Sequence, residues 1–279
     1  MNQPSSRYVQ CQGREIHFVE WGRPDAPPLL MWHGLARTGR DFDDLAAALA
    51  DRYRIVCPDT LGRGFSQWSP DPDKEYCLAF YAELARDLAD QLGMKQLRWV
   101  GTSMGGAIGT VAGATTLKGR ISHLVINDNG PALAQAAIER IKAYAGNPPA
   151  FATMAEFEQF LRTVYKPYGW QSDAQWRRMA ETSARRLPDG RIAPHYDPAM
   201  VRQFIVHPRD YDLWPAYDAL DMKVMVLRGI DSDLLLQETA EEMTRRGPRA
   251  RLEVIPGCGH APALNVPEQI GLVADFLAD

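Results

Sequence analysis

The pentapeptide Gly101-Thr102-Ser103-Met104-Gly105 constrains this chain more than any other stretch. It follows a short apolar run, Leu97-Arg98-Trp99-Val100, that reads as a buried strand, and it opens a helical pattern over Gly105–Thr116. A strand that reverses this sharply into a helix strains its middle residue. The flanking positions must then be small, and the serine hydroxyl is pushed out above the sheet edge. The N-terminus of the helix beneath it favours developing negative charge. A helix-capping serine near packing glycines is the ordinary alternative, but the strand before and the helix after favour a nucleophile.

The rest of the chain repeats the same alternation. Tyr8–Gln10 and Ile16–Glu20 flank a glycine turn and read as an opening hairpin ending at Gly22. Short apolar runs at Leu29–Trp32, Arg54–Cys57, His123–Ile126, Val224–Leu227 and Leu252–Ile255 join Leu97–Val100 as predicted strands. Helical patterns at Phe42–Leu49, Cys77–Leu92 and Pro267–Leu277 lie among them. This pattern predicts an α/β fold: a mostly parallel sheet of about eight strands flanked by helices.

Residues 131–218 break the pattern. They read as helical and irregular, are punctuated by prolines and hold Trp170, Trp176 and Trp214. Strands resume near Lys223. The 279 residues, a length that permits one large domain or two small ones, are therefore expected to divide into a core of 1–130 and 219–279 and a helical insertion of 131–218, placed before the last two strands.

Several function classes lose ground on composition and motifs. A net charge of −4 offers no broad positive field for nucleic acid or anionic lipid. The opening residues lack a signal-peptide pattern, and no run approaches the roughly 18 apolar residues that span a bilayer. A cytoplasmic protein with a small-molecule partner, and with neither nucleic acid nor membrane as partner, is expected; the oligomeric state is not readable. Cys11, Cys57, Cys77 and Cys258 form no C-x-x-C pair, and H-E-x-x-H, Walker A and complete G-x-G-x-x-G motifs are absent. No metal or cofactor is expected.

With Ser103 in its strand–turn–helix setting, the chain resembles the α/β-hydrolase family over essentially its whole length. His33-Gly34-Leu35 resembles the family's oxyanion loop. Asp59-Thr60-Leu61-Gly62-Arg63-Gly64-Phe65-Ser66 is similar to its D-x-R-G-x-G-x-S segment, departing at Leu61, and Gly257-Cys258-Gly259-His260-Ala261-Pro262 resembles its histidine loop. The resemblance implies a lid formed by the insertion and an oxyanion hole made by the backbone N–H groups of Leu35 and Met104.

Serine is a weak nucleophile until a base takes its proton, and that base needs an acceptor to fix its tautomer. Of six histidines, only His260 sits in a glycine-flanked loop after the last strand. The acid stays open. The common family position, three residues after Gly229, holds Ser232 with Asp231 and Asp233 on either side. A second family arrangement takes the carboxylate from the end of the strand after the nucleophile helix, where Ile126-Asn127-Asp128-Asn129-Gly130 stands. Ser232 together with Asp128 resembles a subset of small bacterial esterases in which both approach the histidine. Asp128 is therefore favoured, with Ser232 assisting and Asp233 as the alternative acid. Arg140, Arg185 and Arg186 are candidate anchors for a substrate carboxylate, against the ordinary reading of solvated arginines.

The expected protein is a cofactor-free serine hydrolase of a small carboxylic ester or related acyl bond. The alternatives are a carbon–carbon hydrolase, a lactonase or amidase, and a binding protein that kept the pocket but lost turnover.

Overall fold

The computed structural model describes residues 4–279; residues 1–3, the start of the N-terminal segment read above, lie outside the described residues. Among the described residues ten strands occur in chain order: β1 (Ser5–Cys11), β2 (Arg14–Trp21), β3 (Pro28–Trp32), β4 (Arg54–Pro58), β5 (Leu97–Thr102), β6 (Ile121–Asn127), β7 (Ala184–Arg186), β8 (Ile192–Pro194), β9 (Lys223–Gly229) and β10 (Arg251–Ile255). Eight of them form one sheet in the order β1-β2-β4-β3-β5-β6-β9-β10. The hairpin β1-β2 and the β2-β4 pair are antiparallel, and every later pair is parallel.

Parallel strands need both faces covered, which explains the near-continuous apolar runs. On one face the helices Leu78–Gln91 and Met104–Ala114 bury Leu84, Leu88, Ile108 and Ala112 against Leu30, Trp99 and Leu124. On the other, Asp43–Leu49 and Pro267–Ala278 bury Leu45, Leu49, Val273 and Phe276 against Leu29, Val100 and Val125. All four cysteines are buried and free.

Residues between β6 and β9 carry the helices Gln135–Ala145, Met154–Val164 and Asp173–Ser183. Part of this segment has a small core of its own, built on Phe157, Leu161, Trp176, Met179 and Ile192, while Ala145, Tyr196, Met200 and Tyr217 join the core beneath the sheet. One difference from expectation is the β7-β8 hairpin, which pairs Ala184–Arg186 with Ile192–Pro194 where the pattern reads helical and irregular. A tight turn closes it. Leu187 and Arg191 hydrogen-bond across that turn, and Gly190 supplies a φ of 86° that most side chains resist. Three-residue strands are too short to show alternation, so the periodicity carried no sign of them.

No helix among the described residues is long and apolar enough to cross a membrane.

Candidate active site

The C-terminal ends of β3, β5, β6, β9 and β10 lie along one edge of the sheet, the edge where parallel α/β sheets gather their functional loops. Register does the positioning. Gly101 pairs with Ile126, Thr102 with Asn127, and Asn127 with Leu227, so Ser103 and Asp128 each follow directly on adjacent, level strand ends.

Ser103 has φ 52° and ψ −118°, a strained conformation at the junction of β5 with the helix Met104–Ala114. The backbone is held on both sides: the Ser103 N–H donates to Asn127 O at 2.8 Å, and Ser103 O accepts the Gly106 N–H at 2.8 Å. The neighbouring glycines are a steric necessity. A Cβ on Gly105 would lie 1.9 Å from Trp32 O, and one on Gly101 would lie 2.2 Å from Gly105 O.

His260 Nε2 lies 2.9 Å from Ser103 Oγ, and its Nδ1 lies 2.7 Å from Asp128 Oδ2. The carboxylate of Asp128 is fully buried, and both of its oxygens accept hydrogen bonds. Oδ1 takes the Gly229 N–H at 2.8 Å, and Oδ2 also takes the Ser232 hydroxyl at 2.6 Å. Of the two candidate acids, Asp128 is the one brought to His260. Asp233, one residue past the inward-turned Ser232, is half exposed and forms a two-pronged ion pair with Arg140. Ser232 differs from expectation in one detail: its hydroxyl reaches the Asp128 carboxylate, and no hydrogen bond joins it to His260 among the described residues.

The Leu35 and Met104 backbone N–H groups take part in no hydrogen bond among the described residues. The peptide that carries the Leu35 N–H is fixed from its other end. Gly34 O accepts His33 Nδ1–H at 2.6 Å and the Arg37 N–H at 3.3 Å, while His33 Nε2 accepts the Thr60 N–H at 2.9 Å. His33 therefore has both ring nitrogens in use in one tautomer, and complete burial lowers its pKa to about 4. Sequence reading placed His33 only as the residue before the turn. Its hydrogen-bonding role depends on Thr60, which is distant in sequence. The Asp59–Ser66 segment is likewise a brace: Asp59 accepts from His17, Gly39 and Phe65, and the buried Arg63 donates to Leu35 O at 2.8 Å and to Tyr81 Oη at 2.8 Å.

A cavity of about 530 Å³ opens over Ser103 and His260, walled on one side by Leu35 and Arg37 and on the other by Arg140 and Tyr165 of the insertion. Two of the three candidate anchor arginines are elsewhere. Arg185 and Arg186 lie on β7 rather than a helix; Arg185 stacks over Trp68 at 4.9 Å, and Arg186 reaches Gly190 O. Arg140 lines the cavity but is engaged by Asp233. Sequence reading passed over Arg37, a buried guanidinium on the cavity wall. An arginine two residues past Leu35, in an otherwise small and apolar turn, was the available signal.

The chain belongs to the alpha/beta hydrolase fold family, whose model matches residues 27–265, and it is a hydrolase. Among its relatives is a 3-hydroxybutyrate-oligomer hydrolase of Cupriavidus necator, 38% identical over 98% of this chain and 97% of that protein. A 2-(acetamidomethylene)succinate hydrolase of Mesorhizobium japonicum is 26% identical over 84% of this chain and 81% of its own length. The crystal structure of an alpha/beta hydrolase from Novosphingobium aromaticivorans superposes with a TM-score of 0.87 at 34% identity, over 100% of this chain and 99% of that one.

Proposed function

We propose that the chain is a serine ester hydrolase acting on short esters of hydroxy acids through an acyl-enzyme. The observation that carries this reading is the unbroken hydrogen-bond relay from Ser103 Oγ through His260 to the buried Asp128 at the wall of one cavity. Ser103 attacks the ester carbonyl while His260 Nε2 takes its proton. Asp128 holds the Nδ1–H and steadies the imidazolium as it forms. The free Leu35 and Met104 N–H groups receive the oxygen that becomes charged in the tetrahedral intermediate. His260 then returns its proton to the leaving alcohol, and water, activated by the same imidazole, releases the acid.

The substrate class is supported by the Cupriavidus relative, whose likeness runs the length of both chains. Residues 131–218 serve as a cap over a core made of 1–130 and 219–279; this role is supported by the separate apolar core within the insertion and by the insertion's share of the cavity wall. The working partner is a small molecule, in the cytoplasm. Carbon–carbon, lactone and amide cleavage would use the same machinery, so a substrate panel separates them.

The test is turnover of the linear 3-hydroxybutyrate dimer and of a chromogenic short-chain ester, each compared with Ser103→Ala and His260→Ala. Turnover lost in both variants supports the reading, and equal activity in them overturns the mechanism. Labelling by a serine-directed phosphonate without turnover of any ester, lactone, amide or ring-fission product would point instead to a binding protein.

A further inference from the structure

We infer that Ser6 is a second activated serine, a covalent modification site on the opening hairpin that takes an acyl or phosphonyl group from an activated aryl ester or fluorophosphonate. The site shares no residue with the catalytic cavity, which places it beyond the ester-hydrolase reading.

Three neighbouring strands position it. His17 of β2 stands opposite Tyr8 of β1, and Ser6, two residues along the same face of β1, reaches the ring on the diagonal. Asp59 follows directly on β4, and its N–H donates to His17 O at 2.9 Å. Ser6 Oγ lies 2.7 Å from His17 Nε2, and His17 Nδ1 lies 2.7 Å from Asp59 Oδ2. The corresponding separations among Ser103, His260 and Asp128 are 2.9 Å and 2.7 Å. The acid is held alike in both places. Asp59 Oδ1 takes the Gly39 N–H at 2.8 Å, as Asp128 Oδ1 takes that of Gly229, and Asp59 Oδ2 also takes the Phe65 N–H at 3.0 Å.

These contacts decide where the protons sit. Asp59 is buried and receives two backbone N–H groups, so it serves as a carboxylate and keeps the proton of the neutral His17 ring on Nδ1. Nε2 is then an acceptor for the Ser6 hydroxyl, the arrangement a serine needs to lose its proton as it attacks. His17 and Asp59 are buried while Ser6 is exposed on the edge strand β1, so the nucleophile is the part of the relay that solvent reaches. The exposed rings of Tyr8 and Phe65 stand 5.0 Å and 5.3 Å from the His17 ring and offer the incoming group an apolar seat.

In the reaction Ser6 Oγ bonds to the donor's carbonyl carbon or phosphorus and His17 Nε2 takes the hydroxyl proton. The phenolate or fluoride leaves with the bonding pair and collects that proton. Ser6 lies within a strand, not before a helix as Ser103 does, so it lacks the amide of a helix N-terminus and should react about 10²–10³-fold more slowly than Ser103. The same lack leaves the adduct slow to hydrolyse, which makes this a site of modification, not of turnover.

The test treats the wild type and Ser103→Ala, the latter with and without His17→Asn, with a fluorophosphonate and sequences the peptide ending at Arg7, which holds both Ser5 and Ser6. Ser5 is the internal control: it is exposed on the same strand and has no hydrogen bond to a histidine among the described residues. In Ser103→Ala, Ser6 is expected to label about a hundredfold faster than Ser5, the effect of a positioned general base. His17→Asn should bring Ser6 down to the rate of Ser5. Labelling of Ser6 no faster than Ser5 overturns the inference, and so does a preference for Ser6 that survives in a folded His17→Asn variant. If that variant does not fold, the Ser6-to-Ser5 ratio in the wild type decides alone. Ester turnover by the wild type is read separately, so loss of the ester-hydrolase reading leaves this ratio to stand or fall by itself.

Discussion

Ser103, Asp128 and His260 stand on loops to which the sheet leaves almost no freedom, whereas residues 131–218 reach the same cavity through side chains of the helix Gln135–Ala145, packed on the main core, and of the helix Met154–Val164, which has a separate core. On the sheet side, the acceptors of Asp128 and both nitrogens of His33 and His260 have named partners, and backbone groups supply many of them. On the helical side, the contacts are the faces and tips of side chains such as Ile141, Val164 and Tyr165. Chemistry that tolerates errors of only tenths of an ångström belongs on the rigid side. Shape selection belongs on the side whose residues can change without disturbing the sheet.

The sharpest way to break this comparison uses the two carboxylates that sequence reading left open. Asp128→Asn is expected to reduce kcat by about 10⁴-fold, because the amide can present its N–H to His260 Nδ1 and hold the wrong tautomer. Asp233→Asn, which loosens only the Arg140 tie to the insertion, should change kcat by no more than a few-fold. Steady-state kinetics on one ester decides between them. Comparable losses in both variants would mean that the helical side takes part in the chemistry.

A pH experiment tests the rigidity of the sheet side. Burial lowers the His33 pKa from its ordinary 6.5 to about 4, so folding favours the neutral ring. The unfolded chain then binds more protons between these values. Stability from this group is therefore complete above pH 6.5, declines as pH falls toward 4, and changes no further below that. The full effect is about 3 kcal/mol. Urea unfolding between pH 7.5 and 4 should show a shallower dependence in His33→Gln than in the wild type. His123 and His195 are shifted in the same direction by burial, so the difference between the two proteins is the readout. Parallel curves would remove His33 as the neutral brace.

How far each side could be read from sequence follows from the same contrast. The Ser103 turn was legible because its requirements are local: a strand, small residues at 101 and 105, and a helix. The main sheet was legible for a related reason, since strands buried on both faces must be apolar throughout. Asp128 against Asp233 was not decided by local pattern. It depends on which way the turn after β9 rotates, and Arg228 guanidinium bonds to Ile230 O, Ser232 O and Leu235 O hold that turn with Ser232 inward. Arg37 was passed over because burial of a charged residue leaves no periodic trace. The β7-β8 hairpin was missed because its strands are too short to have a period.

Ser232 offers a smaller test of the sheet side. Ser232→Ala removes one of the donors to Asp128 Oδ2 but leaves the Gly229 N–H and His260 in place. One hydrogen bond to a charged acceptor corresponds to about a tenfold loss in kcat. A drop as large as that of Asp128→Asn would make Ser232 a full member of the relay.

The smallest expected effect lies on the helical side. The helix Met154–Val164, which carries Val164 and leads into Tyr165 at the cavity, begins with a reciprocal cap. Thr153 Oγ1 accepts the Glu156 N–H, and Glu156 reaches back to the Thr153 N–H. Thr153→Ala leaves one helix-end donor unpaired and should cost about 1 kcal/mol. Because this segment has its own apolar core, the loss should appear as faster hydrogen exchange across 154–164, with little change in the unfolding midpoint of the sheet. KM should rise modestly while kcat on a small neutral ester stays within about twofold, since no group that touches the reacting atoms is carried on this helix. If Thr153→Ala lowers kcat as much as KM rises, the two sides of the cavity are mechanically coupled, and the division between a rigid chemical side and a tunable selective side does not hold.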